Sequence, residues 1–152
     1  MRIALGLTTL FTWIENVRKD FYDGENLPGF FDWAFTSAEE GGNGSSLGFV
    51  QSILDSTILA APEFFGWVLT IFELLIAVGL LFGIFTRAAS LAGLAFFASL
   101  LLTYFGGEEW IWTYVLLVAG SAVVFLEWGG RLLGVDQFIA RARGESRLGL
   151  LW

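Results

Sequence analysis

The chain has 152 residues, of which 56% are hydrophobic and only 15% are charged, whereas a typical soluble domain carries about 25% charged residues. It contains neither Cys nor His, which excludes disulfides, thiol nucleophiles, Cys/His zinc sites, iron–sulfur clusters and His-ligated haem, so we expect this chain to ligate no metal or haem. The net charge of −7, with a single lysine, is typical of a salt-loving host and argues against a nucleic-acid partner, which would require basic patches.

Four apolar segments predict an all-α integral membrane protein. Their approximate bounds are residues 2–20, 62–85, 88–105 and 110–128. A helix needs about 20 apolar residues to cross the hydrocarbon core of a bilayer, and the first segment reaches that length only with Glu15 and Asn16 included. We therefore expect one domain over residues 1–152, a four-helix transmembrane bundle in contact with the lipid bilayer.

The long segment at 21–61, between the first and second predicted spans, has the composition of a loop. Residues 41–46 are rich in Gly and Ser and predict a flexible turn. Apolar residues then recur at helical spacing from Leu47 to Ile58, which predicts an amphipathic helix lying in the outer interface. The residues before the turn predict an aromatic surface at the level of the lipid headgroups: Leu27, Phe30, Phe31, Trp33 and Phe35.

The distribution of charge predicts the orientation of the four spans. If all four cross the membrane, six Arg residues fall on one side, whereas Arg18 and Lys19 fall on the other side with most of the acidic residues. The positive-inside rule then places both termini in the cytoplasm. We expect a multi-pass protein of the cell membrane with a cytoplasmic tail at 129–152.

Glu73 is the first candidate for a functional residue. It lies near the middle of the second span, where a charged side chain costs at least ~2.5 kcal/mol. Gly66, Thr70 and Ala77 share its helical face, and small residues mark helix contacts in lipid, so we expect Glu73 to point into the bundle. It is either a proton-handling or ligand-binding carboxyl group or a structural hydrogen-bonding partner of a neighbouring helix.

Glu15 lies one helical turn before Arg18 and Lys19, so these three residues can form ion pairs. With Thr8 and Thr12, Glu15 also belongs to a polar stripe predicted to face the bundle near its outer mouth. One interpretation is a polar site in which Arg18 or Lys19 contacts an anion. The other is an interfacial ion pair with snorkelling side chains, and this one is favoured.

Trp67 and Trp13 are candidates for contacting a ligand. Trp67 lies beside the polar stripe, although the aromatic belt of a membrane protein offers a structural explanation for it. Trp13, with Phe72 and Tyr104, is a candidate for lining a flat apolar pocket.

The order of several motifs resembles the DoxX/DoxD-like membrane proteins over roughly residues 60–140. A helix carrying Glu is followed by a Gly-Leu-Leu-x-Gly stretch, then Thr-Arg and an Ala-rich helix, here at Glu73, 79–83, Thr86, Arg87, Ala88 and Ala89. The segment after the fourth span also resembles the corresponding segment of this family, at Gly130, Arg131, Gly134 and Asp136. The sequence EEWIWTY before the fourth span is similar to the DoxD branch.

This resemblance implies a membrane subunit of a quinone-linked oxidoreductase that oxidises thiosulfate or another small donor together with a partner subunit. Quinone is then the expected cofactor, held between aromatic residues. On this hypothesis Glu73, helped by Glu15, handles protons, and Arg18 and Lys19 neutralise an anionic donor.

Two other functions remain open. The absence of His and Cys favours a non-catalytic structural or accessory subunit that docks another protein subunit or a second copy of the chain. A small solute carrier is the least favoured, because Glu73 is the only charge at the midplane and no inverted repeat is visible.

Overall fold

The computed structural model describes residues 1–127 and 134–138, and this part of the chain is helical with no strand. Within residues 1–127 the α-helices are, in order, α1 (Arg2–Arg18), α2 (Asn26–Phe35), α3 (Gly48–Ser56), α4 (Pro62–Phe82), α5 (Thr86–Thr103) and α6 (Trp112–Leu126). Two short 3₁₀ turns lie at Ala38–Glu40 and Ile58–Ala60.

The four apolar segments coincide with α1, α4, α5 and α6 to within a few residues. Two of these helices, α4 and α5, are long and apolar enough to cross a membrane. Pro62 begins α4, in the first turn where its missing N–H is not needed. Of the predicted tail at 129–152, only residues 134–138 lie inside the described part of the chain.

The four longest helices pack in a closed ring, because α1 contacts α4, α4 contacts α5, α5 contacts α6, and α6 returns to α1. Small residues allow the close approaches in this ring. A Cβ atom added at Gly6 would lie 2.5 Å from the backbone nitrogen of Leu81, and one added at Gly79 would lie 2.6 Å from the Cβ of Ala89. The core between the helices consists of Leu5, Ile76, Leu80, Ala89 and Val124.

The turn between α4 and α5 is held by residues distant in sequence. Gly83 and Phe85 both adopt left-handed conformations, with φ of 68° and 48°. The buried Asp136 carboxylate accepts hydrogen bonds from the backbone N–H groups of Phe85 and Thr86 at 2.9 and 2.8 Å. It thereby satisfies amide groups at the start of α5 that have no partner within the helix.

Arg2, at the start of α1, binds the end of α4 at this end of the bundle. Its Nη1 donates to the carbonyl oxygens of Leu80 and Leu81 at 2.6 and 3.0 Å, which lie in the last turn of α4, where backbone carbonyls carry partial negative charge. A Cβ atom at Gly83 would lie 2.7 Å from this guanidinium group. We call this region, formed by Arg2, residues 80–86 and Asp136, the turn end.

The opposite end is covered by residues 21–61, which we call the lid. The lid contains the predicted helix α3 and also α2, which the sequence pattern does not predict. Pro28 and Gly29 inside α2 are typical of loops, but Pro28 falls in the first turn of the helix, where proline is tolerated. Leu27 and Phe31 of α2 are buried, so part of the predicted aromatic surface packs inward.

The Gly-rich segment at 41–46, predicted to be a flexible turn, forms hydrogen bonds with distant residues. The backbone N–H of the buried Asn43 donates to the carbonyl of Trp33 at 2.9 Å, and its Oδ1 accepts from the N–H of Glu109 at 2.8 Å. The N–H of Ser46 donates to the carbonyl of Phe105 at 3.0 Å. These bonds, which the sequence pattern did not predict, connect the lid to the loop between α5 and α6.

Candidate functional site

A cavity of about 490 Å³ lies beneath the lid, between the four long helices. This volume falls within the usual range of small-molecule sites. Its walls are mainly aromatic and aliphatic, with a smaller number of polar groups. The lining includes Phe21, Leu27, Phe30, Phe31, Leu69, Phe96, Phe97, Leu100 and Leu117 among apolar residues, and Thr8, Thr12, Asn16, Tyr22, Glu73, Thr103, Tyr104 and Tyr114 among polar ones.

Glu73 is the only acidic or basic residue among the described residues that line this cavity. Its exposed fraction is 2%, which is the inward orientation expected from its small-residue neighbours. The Tyr22 hydroxyl donates a hydrogen bond to Oε2 of Glu73, and Nδ2 of Asn16 lies 3.5 Å from the same atom. Asn16 also donates to the Tyr22 hydroxyl at 3.2 Å. Both contacts use Oε2, so the second carboxyl oxygen remains for a ligand.

A sharp bend after α1 positions Tyr22 over Glu73. Asp20 has a left-handed conformation with φ of 51°, which turns the chain back toward α4. The carbonyl oxygen of Tyr22 then packs against Gly66, where an added Cβ would collide with it. Gly66 lies on the helical face of Glu73, so the small residue allows the close approach that brings the Tyr22 hydroxyl to the carboxyl group.

The polar stripe predicted on α1 reaches the cavity only in part. Thr8 and Thr12 line the cavity, and Asn16 continues their row at the next helical turn. Glu15 does not line it; its side chain is 53% exposed and lies 3.3 Å from Arg18 and 3.9 Å from Lys19, which are more exposed still. These three residues form an ion cluster on the surface, which is the arrangement favoured from the sequence.

The two tryptophans also lie outside the cavity lining. Nε1 of Trp13 donates to the carbonyl of Thr70 at 3.0 Å, so this ring joins α1 to α4. Trp67 is 71% exposed. Of the candidates Glu73, Glu15, Arg18, Lys19, Trp67 and Trp13, only Glu73 lines the cavity.

Tyr104 and Tyr114 form the opposite wall of the cavity, on the side of α5 and α6. Their rings stack with centroids 4.7 Å apart, and Tyr104 is 8% exposed. Tyr104, which the sequence analysis names as a candidate for lining a flat apolar pocket, lines the cavity. The contributions of Tyr22, Asn16 and Tyr114 were missed, because no sequence spacing relates the bend after α1 or the α5–α6 loop to Glu73.

The lining defines the kind of ligand that fits. Aromatic rings with a few hydrogen-bonding groups suit a flat, mostly apolar molecule that carries polar atoms, and a quinone ring meets this description. Across residues 1–127 and 134–138 no group of three or more His, Cys, Asp or Glu residues could hold a metal ion.

Comparisons with models of protein families, with curated proteins and with solved structures find no match to this chain.

Proposed function

We propose that the chain is a multi-pass protein of the cell membrane, of DoxX/DoxD-like type, in which α1, α4, α5 and α6 form a four-helix transmembrane bundle. The length and apolar character of α4 and α5 support this proposal. All four helices also expose large apolar side chains, such as Phe11, Leu75, Leu91 and Leu116. Such an extensive apolar surface is costly in water and favourable in lipid.

The distribution of charge supports an orientation with both termini in the cytoplasm. Arg2 and Arg87 lie beside the turn between α4 and α5, whereas the lid carries acidic residues such as Glu39 and Glu40. Since basic residues favour the cytoplasmic side, the turn end would be cytoplasmic and the lid would lie on the outer side.

Within this bundle, we propose that the cavity binds a quinone and that the chain is the membrane subunit of a quinone-linked oxidoreductase. The observation that carries this proposal is the buried carboxyl group of Glu73, the only acidic or basic residue among the described residues that line the aromatic cavity beneath the lid. A carboxyl group in such surroundings is a functional candidate by default, because burying it has a high cost that packing alone would not require.

A bound quinone would supply the acceptor for two electrons and two protons. The residues of this chain would hold its ring and handle the protons: Glu73 donates or accepts a proton at its carboxyl group, while Tyr22 and Asn16 fix the orientation of that group. The two electrons would come from thiosulfate or another small donor, which is oxidised at a partner subunit. Arg18 and Lys19, exposed next to the lid, offer positive charge for an anionic donor or for that partner.

A non-catalytic accessory subunit is the second candidate function. The observation that favours it is the exposure of Phe49 and Ile53 on α3, at the edge of the cavity that they also line. These apolar side chains on the lid could contact another protein subunit or a second copy of the chain.

Menadione binding to Glu73→Leu tests the proposed function. A quinone carbonyl only accepts hydrogen bonds, so the proposed contact needs the protonated carboxyl group of Glu73 as donor, and leucine removes that donor whereas glutamine would keep an N–H donor. With the purified protein in lipid nanodiscs and isothermal calorimetry, we expect wild type to bind this naphthoquinone and the variant to bind it about three- to tenfold more weakly, since a neutral hydrogen bond contributes ~0.5–1.5 kcal/mol. Glu63→Leu is the matched control, because Glu63 lies exposed in the first turn of the same helix, outside the cavity. Absence of binding to wild type, or equal affinity in the two variants, would contradict the proposal.

A further inference from the structure

The polar groups of the cavity are concentrated on two opposite walls. On the first wall, formed by α1, α4 and the start of the lid, Asn16 and Tyr22 surround Glu73. On the second wall, Tyr104 at the end of α5 stacks on Tyr114 of α6. In the ring of helices the α1–α4 pair faces the α5–α6 pair, so the two polar groups lie across the cavity from each other.

A row of aromatic rings joins the two walls. Phe21 lies 5.4 Å from the ring of Tyr22 and 5.1 Å from that of Phe30, and Phe30 lies 5.9 Å from Tyr104. Phe21 and Phe30 both line the cavity. The lid therefore provides a continuous aromatic surface that begins and ends at a phenol group.

Most other hydroxyl groups of the walls are already engaged. Thr9 and Thr12 donate to backbone carbonyls of α1 at 2.9 and 3.0 Å. Ser99 and Thr103 do the same in α5 at 2.7 and 2.9 Å. These side chains therefore contribute shape to the cavity more than hydrogen bonds to a ligand.

The tyrosine pair retains one proton to donate. The rings of Tyr104 and Tyr114 stack side by side, and both line the cavity. Each phenol carries one proton and can both donate and accept, so a hydrogen bond between the two hydroxyl groups would use only one proton of the two. The second proton needs an acceptor, and the cavity that both rings line is where a ligand can supply one.

We propose that Tyr104 and Tyr114 form a second binding subsite, which donates a hydrogen bond to an oxygen at the far end of a flat ligand whose near end accepts a hydrogen bond from the protonated carboxyl group of Glu73. The ligand class is then a ring with carbonyl oxygens at two opposite positions, as in a para-quinone. This inference rests on the proposed quinone function and adds the group that recognises the second carbonyl.

Two probes with the same bicyclic frame test the subsite: menadione, with two opposite carbonyls, and 1-tetralone, with one. The double variant Tyr104→Phe with Tyr114→Phe removes both hydroxyl groups and keeps both rings. By calorimetry in nanodiscs, we expect menadione to bind about three- to tenfold more weakly, since one hydrogen bond contributes ~0.5–1.5 kcal/mol. The affinity for 1-tetralone is expected to stay unchanged, because its single carbonyl uses the Glu73 wall.

Thr36→Val is the matched control, since its hydroxyl also donates to a backbone carbonyl, that of Asp32, but lies outside the cavity; we expect no change for either probe. If menadione binds wild type and binds more weakly to Glu73→Leu but is unaffected in the double variant, the subsite is refuted while the proposed function stands. If menadione does not bind wild type, both are refuted. Should the double variant fail to fold, Tyr114→Phe alone is compared with wild type, and an unchanged preference for menadione over 1-tetralone again refutes the subsite.

Discussion

The two ends of the helical ring each bury a carboxyl group, but they surround it differently. At the turn end, Asp136 is fully buried and accepts two backbone N–H bonds. At the lid end, Glu73 is nearly as buried, but its partners are the side chains of Tyr22 and Asn16 and it lines a cavity. Backbone partners and close packing indicate a structural carboxylate, whereas side-chain partners beside open space indicate one that meets a ligand.

Asp136→Ala should give the largest loss of stability. The substitution leaves the N–H groups of Phe85 and Thr86 without their acceptor and removes the negative charge that interacts with Arg2. We expect a loss of about 2–4 kcal/mol in the free energy of unfolding, measured by thermal unfolding in detergent. The folded fraction should bind menadione as wild type does. An unfolding midpoint equal to that of wild type would show that the turn end does not depend on this cap.

Gly66→Ala should lower both the stability of the protein and its affinity for menadione, because it disturbs the packing of the lid on α4. The new Cβ collides with the carbonyl of Tyr22, so the bend that carries the Tyr22 hydroxyl to Glu73 must move. We expect a loss of about 1–3 kcal/mol in stability together with weaker menadione binding. Gly29→Ala is the control, because a Cβ at Gly29 meets nothing within 4 Å and a helical Ala is expected to be neutral or slightly stabilising. If Gly66→Ala binds menadione with wild-type affinity, Tyr22 does not position Glu73.

Glu15→Gln should have the smallest effect. Glu15, Arg18 and Lys19 form an exposed ion cluster, and exposed ion pairs contribute about 0–1 kcal/mol. We expect the unfolding midpoint and the menadione affinity to remain within error of wild type. A clear loss of menadione affinity would instead give Glu15 a part in the site, as the sequence hypothesis allows.

Features that depend on one helix were predictable from the sequence. The apolar blocks fixed the bounds of the four long helices to within a few residues, and Pro62 marked the start of α4. Gly66, Thr70 and Ala77 identified the inward face of Glu73, because small residues and the carboxyl group share one helical stripe.

Features that depend on chain segments meeting in space were not predictable. The cap on α5 comes from Asp136, 50 residues after Thr86, and no local pattern signals that pairing. The glycines at 41–46 predict a flexible turn and give no sign of the hydrogen bonds that the backbone around Asn43 makes to distant residues. Tyr22 reaches Glu73 only because of the bend at Asp20.

Native mass spectrometry of wild type and Glu73→Leu, each purified from its own membranes in mild detergent, tests the central claim most directly. The account predicts that wild type carries a small molecule with the mass of a quinone and that the Glu73→Leu variant, equally folded, carries less of it. Wild type without a quinone, or equal quinone occupancy in both proteins, would contradict the account.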